Sequence, residues 1–447
     1  MEKVPVPWLQ NFIVFNTTLC KKEGQEQEKI LFYYSKDETS DDAKIRQVGL
    51  CEGMINFTRR FSDNPCEVLE TKRTRQVYFG PEPDFWMVLT VGVPENGCRF
   101  VSNLTMRSLL ITSYNLFTLF YGPFTPLMNK LGDLPTFRAK LKRFFGPYRT
   151  TLKIGESEIL DHAAGVQYLS IDPNMYLCCQ RFLSSLQDRF SPVLYTMLLY
   201  KDKLIYSALD KHDTQVLYHY LINILFPAHL ETSGMEFISK SLQTMGRYLN
   251  GPDNFDDNIK ASRLHLMTDS VDGKLTQVFL LVYNNMDTTV CLMIDANTSC
   301  TKTFYKTLHA FLSTNVPTLD SIISKQVAPK MLGGGSSSYL VQPVNDNIRY
   351  LLYNYDNLAY VTTLHSTPHI SPVFMRTISD IAAVIKDKRD ADVVIKTASD
   401  IWISARKSKS RVLFSLLLQK NMHYINVVED VRRLTQTLFS KTYFTES

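Results

Sequence analysis

A chain of 447 residues is too long for one ordinary hydrophobic core, so its length predicts two to four domains. Its composition, 45% hydrophobic and 21% charged, is that of a globular protein that buries most of its apolar side chains. The formal net charge of +5 is small for this size, which excludes wholesale nucleic-acid binding and allows only local basic surfaces.

The first part of the chain alternates between short strands rich in β-branched and aromatic residues and helices with apolar periodicity. Strands are predicted at Asn11–Asn16 and Lys29–Ser35, and a helix follows at Ala43–Phe61. Further strands are predicted at Val68–Phe79 and Phe85–Val93. Two more helices complete this part, one from a cap at Ser102 to about Phe120 and a basic one at Pro135–Phe145.

The same order of elements returns twice. The second copy begins with a hairpin and a helix (Tyr195–Tyr200, Lys203–Leu209, Asp213–Phe226) and continues with three strands and two helices (Ala261–Met267, Gln277–Tyr283, Thr289–Ile294, Thr301–Ser313, Thr318–Val327). The third copy comprises Arg349–Tyr353, Ala359–Leu364, Ser371–Lys386, Val393–Thr397, Asp400–Ala405, Arg411–Gln419 and Asn426–Phe439.

Each copy therefore reads strand, strand, helix, three strands, helix. A hairpin that crosses through a helix to a three-stranded meander predicts an α/β fold, a five-stranded antiparallel-rich sheet with helices packed on it. This is the topology of a longin (roadblock-like) domain, and three unrelated α+β domains are the alternative. The predicted organisation is a first domain at 8–150, a helical linker at 151–192, a second domain at 193–330, a flexible linker at 331–345 and a third domain at 346–447.

No segment has the motif of an enzyme or a metal site. The chain lacks a phosphate-binding loop, a dinucleotide-binding glycine motif, a zinc-protease motif and a nucleophile elbow. His365 and His369 flank Pro368 in a predicted loop without further ligands, so we expect no metal there. The eight cysteines form no Cys-x-x-Cys pair, and residues 1–7 carry no secretory signal, which is typical of a cytoplasmic protein with reduced thiols.

The helix Ala43–Phe61 is apolar over about half its circumference, more than a helix on one sheet needs. We expect the arc of Leu50, Met54 and Phe57 to pack on the helix's own sheet. A second arc would then meet a partner, and its candidate residues are Val48, Gly49, Glu52, Gly53, Ile55, Asn56 and Arg60. Each helical glycine costs about 0.5–1 kcal/mol relative to alanine, so Gly49 and Gly53 favour a close backbone approach. The alternative is a fully buried helix with two tolerated glycines.

Three further features are candidate interaction surfaces. A strand pair carries Lys72, Arg73, Arg75, Phe85 and Trp86, although edge-strand charges that prevent aggregation are equally consistent. The basic helix carries Arg138, Lys140, Lys142 and Arg143, a pattern that suits anionic lipid, although a plain solvated face is the favoured alternative. A predicted hairpin turn carries Arg406, Lys407, Lys409 and Arg411, either a second lipid contact or a solubilising turn.

Four segments resemble the animal Ccz-type vacuolar fusion protein family (the calcium–caffeine–zinc sensitivity family). They are EGQE with KILFYY (23–26, 29–34), KIRQVGLCE (44–52), FTRRFS (57–62) and FWMVL (85–89). The specific motifs lie in the first 150 residues, and the later units agree in order and length with weaker motifs.

The resemblance implies three longin domains and an obligate heterodimer with the Mon subunit. That pair would be a guanine-nucleotide exchange factor for the late-endosomal Rab GTPase (Rab seven), with the first longin domains of both subunits holding the GTPase. It also implies a β-propeller-containing third subunit and peripheral contact with phosphoinositides on endosome and lysosome membranes. Endosome maturation, lysosome or vacuole fusion and autophagosome fusion would depend on this exchange.

Because the chemistry belongs to the GTPase, the resemblance implies a regulatory subunit without catalytic residues, cofactor or metal. A longin-type trafficking scaffold without exchange activity is the alternative. A soluble metabolic enzyme would need a pocket with convergent titratable groups, and no motif indicates one.

Overall fold

A computed structural model describes residues 7–20, 22, 24–62, 66–93, 103–152, 154, 165–169, 171–233, 246–252, 261–271, 274–327, 347–364 and 372–439. The chain divides into two compact units, residues 1–164 and 165–447. The predicted flexible linker at 331–345 and the histidine pair His365 and His369 lie outside the described residues.

The first unit contains one antiparallel sheet with strand order β2-β1-β5-β4-β3. Its elements are β1 (Trp8–Asn16), a 3-10 turn (Glu26–Lys29), β2 (Ile30–Ser35), α1 (Asp41–Arg59), β3 (Val68–Glu70), β4 (Thr74–Glu82), β5 (Phe85–Gly92), α2 (Asn103–Tyr121), α3 (Phe124–Leu131) and α4 (Leu134–Tyr148). The predicted strand Val68–Phe79 is thus two strands, because residues 71–73 form a tight turn between them.

The sheet of the first unit is covered on both faces. Successive residues of a strand point to opposite faces, and accordingly Ile13 packs in the cluster beneath α1 while the Phe12 ring lies 5.3 Å from that of Phe145 on α4. Phe85 likewise contacts Phe124 and Phe137 at ring separations of 5.4 and 6.4 Å. Helix α1 therefore lies on one face of the sheet, and the layer of α2, α3 and α4 lies on the other.

The second unit contains two sheets. The elements of the first of them are α5 (Pro173–Arg189), β6 (Val193–Tyr200), β7 (Lys203–Ser207), α6 (Lys211–Tyr220), a π-helical turn (Leu221–Leu225), α7 (Phe226–Ser233), β8 (Arg247–Asn250), β9 (Ser262–Val271), β10 (Lys274–Asn285), β11 (Thr288–Asp295) and α8 (Lys302–Val327). Its strand order is β7-β6-β11-β10-β8, with β9 also paired to β10. The five-stranded prediction is therefore wrong here, because β10 is long enough to pair with β9 along one half and β8 along the other.

The other sheet of the second unit has five strands in the order β13-β12-β16-β15-β14. Its elements are β12 (Ile348–Asn354), β13 (Tyr360–Thr362), α9 (Pro372–Ile385), β14 (Asp390–Lys396), β15 (Trp402–Ser408), β16 (Arg411–Leu417) and α10 (Tyr424–Phe439). Three antiparallel sheets with helices packed on them confirm the predicted α/β fold and its threefold repetition.

Two helix predictions need correction. The segment 151–192 was predicted to be a helical linker; its helix is present as α5, but Cys179, Leu183 and Leu186 are at most 1% exposed and pack in the core of the second sheet, so α5 belongs to that domain. The two helices predicted at Thr301–Ser313 and Thr318–Val327 are one helix, α8, which continues through Pro317. A proline removes one backbone hydrogen bond, and the buried apolar residues on both sides of it hold the helix together.

A short extended segment, residues 165–169, joins the two sheets of the second unit. Val166 N–H donates to Leu358 O at 2.8 Å, and Tyr360 N–H donates to Val166 O at 3.1 Å. On the other side Leu204 N–H donates to Gln167 O at 2.8 Å. This segment, called the strap below, bridges in parallel to β7 and to the residues at the start of β13.

Candidate partner-binding surfaces

Helix α1 begins at a side-chain cap and ends near a backbone turn. Ser40 Oγ accepts a hydrogen bond from Ala43 N–H at 3.4 Å, and Asp41 and Asp42 place negative charge at the positive end of the helix dipole. Cys66 N–H donates to Thr58 Oγ1 at 2.8 Å, which ties the last turn to the chain that leads to β3. These contacts fix the two ends of α1.

The inner side of α1 consists of Val48, Cys51 and Ile55, at most 2% exposed. They pack against sheet residues of the same face, among them Ile13, Phe15, Tyr78, Trp86 and Val88. Burial raises the pKa of the Cys51 thiol to about 11, so Cys51 is a neutral packing group. The allocation of the two arcs from the sequence was therefore wrong, since Val48 and Ile55 belong to the domain's own core and are closed to a partner.

The outer side of α1 carries the opposite arc. Leu50, Phe57 and Phe61 are 56%, 58% and 77% exposed, and the rings of Phe57 and Phe61 lie 5.0 Å apart. Full burial of a side chain of this size stabilises by roughly 1.5–3 kcal/mol. Three such side chains in water, two on α1 and one in the turn that follows it, therefore form an apolar surface that a partner can cover.

Gly49 and Gly53 lie on the same outer side, because residues four apart are neighbours on a helix surface. Both are exposed, and a Cβ added at either would meet nothing within 4 Å. The domain's own packing thus gives no reason for glycine at these positions. Their effect is to lower the helix surface beside Leu50 and Phe57, which lets another backbone approach closely.

A signal in the sequence distinguished the two arcs. Val48, Cys51 and Ile55 follow the spacing i, i+3, i+7 of a core stripe with medium-sized side chains. At about 100° per residue, Gly53 lies between Arg60 and Phe57 on the helical wheel. A glycine beside large apolar residues is unfavourable in a core, because it leaves a void there, and this points the arc outward.

The remaining predicted residues of α1 surround the apolar surface with polar groups. Asn56 and Arg60 are exposed and available to a partner. Glu52 forms an ion pair with Lys29, in which Oε2 and Nζ lie 2.7 Å apart, and both side chains are about four-fifths buried. Glu52 therefore fixes the 3-10 turn before β2 to α1.

The second predicted surface, on the strand pair, separates into two environments. Phe85 and Trp86 are 2% and 4% exposed and belong to the two cores of the domain, so their assignment to an interface was wrong. They were misassigned because both faces of this central strand are buried, which a sequence pattern cannot show for an eight-residue strand that is apolar almost throughout.

The basic residues of the same surface lie at its edge. Lys72 and Arg73 are exposed at the turn between β3 and β4. Arg75 is half-buried and pairs with Glu70 of β3, with Nε and Oε1 at 3.2 Å. A charged turn and a short edge strand are the usual protection of a sheet edge.

The predicted basic helix, α4, uses part of its charge inside the domain. Arg138 donates from Nη2 to the carbonyls of Gln27 and Glu28 at 3.0 and 2.9 Å, and burial lowers the pKa of its guanidinium. Its assignment to the membrane was therefore wrong. Lys142 and Arg143 are exposed, and Lys140 lies over the Tyr121 ring at 5.5 Å.

The basic hairpin lies at the turn between β15 and β16. Lys407 Nζ donates to Ile385 O at 3.1 Å and to Lys386 O at 2.6 Å, which caps the end of α9. Arg411 is 7% exposed, and its guanidinium lies 4.3 Å from the ring centroid of Phe439. Both were wrongly predicted to face a membrane. Lys409 is exposed and Arg406 half-buried.

The described residues contain no group of His, Cys, Asp or Glu side chains that could hold a metal ion. Their buried acids have structural partners. Asp213 accepts hydrogen bonds from Thr268 N–H and Oγ1, both at 2.7 Å, and Asp320 accepts one from Thr288 Oγ1 at 2.8 Å. No helix within the described ranges has the length and apolarity to cross a membrane.

Comparisons with known proteins cover all three sheets. A family model described as the first longin domain of INTU, CCZ1 and HPS4 matches residues 9–122. Two further models, described as Intu longin-like domains 2 and 3, match residues 193–313 and 344–434. The longin assignment made from the order of elements is therefore confirmed.

Relatives of nearly the same length are similar along the whole chain. The vacuolar fusion protein CCZ1 homolog of Nematostella vectensis is 34% identical over 466 residues, which cover 98% of both chains. The homolog of Xenopus laevis is 31% identical over 471 residues (99% of this chain, 98% of the relative). That of Dictyostelium discoideum is 25% identical over 458 residues (98% of both). With three longin domains and these relatives, the chain has a role in vesicle trafficking and belongs to the CCZ1 family of vacuolar fusion proteins.

Proposed function

We propose that this chain is one subunit of a heterodimeric guanine-nucleotide exchange factor for the late-endosomal Rab GTPase (Rab seven), with the Mon subunit as its partner. The observation that carries the proposal is the apolar outer side of α1, where Leu50, Phe57 and Phe61 are more than half exposed beside two glycines. A surface of this kind is typical of the buried core of a protein interface.

An exchange factor needs no nucleophile, general base or metal of its own. It accelerates release by binding the nucleotide-free GTPase more tightly than the nucleotide-bound form, and the difference in affinity is what shifts the population. The GTPase's switch segments are ordered by the nucleotide phosphate and Mg²⁺, so a partner that holds them in another conformation weakens the nucleotide's binding. The outer side of α1 would supply apolar contacts to this assembly of Rab and Mon subunit.

Three further features belong to the same proposal. The pair would act as a peripheral complex on endosome and lysosome membranes that contain phosphoinositides, with a β-propeller-containing third subunit bound to it. Activation of the Rab there would drive early-to-late endosome maturation and fusion with lysosomes, vacuoles and autophagosomes. The chain itself would be a regulatory subunit and not an enzyme.

Release of a fluorescent guanine nucleotide from the purified Rab tests the proposal. We expect the heterodimer to accelerate release and this chain alone to have little effect, because one longin domain presents only half of the binding surface. A Rab from another compartment serves as the control. A heterodimer that binds the Rab without accelerating release would contradict exchange activity and favour a trafficking scaffold.

A further inference from the structure

The helix layer of the first unit, α2 to α4 with the residues that connect them (103–152), has an unusual charge. It contains a single acid, Asp133, and seven cations: Arg107, Lys130, Arg138, Lys140, Lys142, Arg143 and Arg149. The excess of six positive charges in this layer is larger than the net charge of +5 of the whole chain. The remainder of the protein is thus nearly neutral, and the positive charge is concentrated in one layer.

The cations of the layer divide into an engaged and an outward group. Arg138 binds the carbonyls of the 3-10 turn, Arg149 lies 4.0 Å from the ring centroid of Tyr34, and Arg107 pairs with Glu67. The outward group comprises the exposed Lys130, Lys142 and Arg143, together with Lys140, which is half-buried and whose Nζ lies at the longer distance of 5.5 Å from the centroid of the Tyr121 ring.

The single acid of the layer does not neutralise the outward group. Asp133 caps α4 by accepting a hydrogen bond from Thr136 N–H at 2.8 Å. Hydrogen bonds from Thr136 also hold the pKa of Asp133 below its usual value. Within the described residues, neither Lys142 nor Arg143 has an ion-pair partner.

The layer also lacks an exposed apolar surface. The apolar side of α4 is buried in the core of the domain, where Phe137, Leu141 and Phe145 are each 0% exposed. Apart from Leu104, whose side chain is not described, no large apolar side chain of residues 103–152 is exposed. A stable protein interface has an apolar centre with aromatic anchors, so this surface does not suit a protein partner. It suits a plane of negative charge.

We propose that the outward cations of the layer, Lys130, Lys140, Lys142 and Arg143, hold the first domain against an anionic lipid bilayer. The contact is electrostatic and without insertion, since α4 has no apolar side free to enter the bilayer. The inference rests on the proposed action at an endosomal membrane. It assigns the two faces of one sheet to different partners, because α1 and its apolar outer side lie across the sheet from this layer.

Partition of the purified full-length chain onto vesicles measures the contact. Vesicles of phosphatidylcholine with phosphatidylserine serve as the anionic surface, and phosphatidylcholine alone as the neutral one. For the double substitution Lys142→Gln, Arg143→Gln we expect an about 30-fold weaker partition onto anionic vesicles. The matched control is Lys306→Gln, Lys325→Gln, two exposed lysines of α8 whose removal changes the net charge equally.

Two further measurements, vesicle binding at high salt and nucleotide release by the soluble heterodimer, distinguish a lipid contact from a protein contact. At high salt the wild-type chain should leave the vesicles, because the screening length falls from about 10 Å at 0.1 M to about 3 Å at 1 M. Binding that persists at high salt, or an equal loss in the control pair, would overturn the inference. In the soluble heterodimer, Lys142→Gln, Arg143→Gln should leave nucleotide release from the Rab unchanged, and a loss there would identify the layer as a protein contact instead. A heterodimer without exchange activity would refute the proposed function while the vesicle result still decides this inference.

Discussion

Leu50, Phe57 and Phe61 leave more than half of their surface in water, although each is as apolar as the residues that fill the core one turn away. Isolated apolar residues on a surface are common, but three together on one side of a helix and the turn that follows it are not. Gly49 and Gly53 add the second unusual feature of this side. At the residue scale, α1 therefore contains a core stripe and an exposed apolar stripe with different residue types.

A pair of truncations tests this division. Ile55→Ala removes a fully buried side chain from the core beneath α1, and we expect it to lower the free energy of unfolding by about 2–5 kcal/mol. Phe57→Ala removes an exposed side chain and should change that free energy by less than about 0.5 kcal/mol. Chemical denaturation of the two full-length variants measures both effects.

Binding to the proposed partner, the Mon subunit, should depend on Phe57 although stability does not. Phe57→Ala is expected to weaken co-purification with the proposed partner. If Phe57 lies in the centre of the interface, the loss of binding free energy should exceed about 1 kcal/mol. Because the Phe57→Ala variant is expected to remain folded, a loss of co-purification would report weaker binding and not unfolding. Normal co-purification of the Phe57 variant, or a large loss of stability from it, would contradict the assignment of the outer side.

At the scale of elements, the strap is the contact that makes two sheets into one unit. Its backbone bonds to Leu204 on one side and to Leu358 and Tyr360 on the other, and Gln167 Nε2 donates to the Tyr360 hydroxyl at 2.8 Å. Val166 and Leu169 are 1% and 5% exposed. Over the five residues of the strap, backbone hydrogen bonds and buried side chains thus hold the two sheets together.

Glycine is required at the start of the strap. A Cβ at Gly165 would lie 2.4 Å from Cδ1 of Tyr360 and 3.1 Å from Leu358 O. We expect Gly165→Ala to lower the free energy of unfolding by about 1–3 kcal/mol, because the Tyr360 ring must move. Gly146→Ala in α4 is the matched control: nothing lies within 4 Å of its added Cβ, so it should stabilise by about 0.5–1 kcal/mol. Equal effects of the two substitutions in denaturation would show that the close approach is not needed.

On the scale of the whole molecule, the described residues form three sheets but two compact units, because the strap unites the second and third sheets. Lys211 at the start of α6 adds a hydrogen bond to Tyr355 O at 2.5 Å, which crosses from the second sheet's domain to the third. Domains that share backbone hydrogen bonds and buried side chains are expected to unfold together, whereas domains joined only by a linker unfold separately.

A fragment of residues 165–447 should therefore unfold in a single thermal transition. A shorter fragment, 171–447, lacks the strap, and we expect it to show two transitions or a clearly lower midpoint. Calorimetry of the two fragments measures the difference. Two well-separated transitions in the longer fragment would contradict the proposed coupling of the two domains.

Much of the fold follows from local patterns. The strand predicted at Arg349–Tyr353 is β12, Ile348–Asn354, and the helix predicted at Asn426–Phe439 is α10, Tyr424–Phe439. The threefold order of elements, read from periodicity and turn residues, implied the three antiparallel sheets. By itself the sequence determined the type and order of most elements, because both depend on residues close together in the chain.

The tertiary structure alone decided which surfaces are free. It buried Phe85 and Trp86 on the two faces of a central strand, engaged Arg138 and Arg411 inside their domains, and turned Phe57 outward in place of Ile55. It also inserted the strap between two sheets through partners far apart in sequence. The physical reason is the same in each case. Even where the glycines of α1 mark its outer arc, the burial of the other arc is made by contacts with strands that other parts of the chain supply.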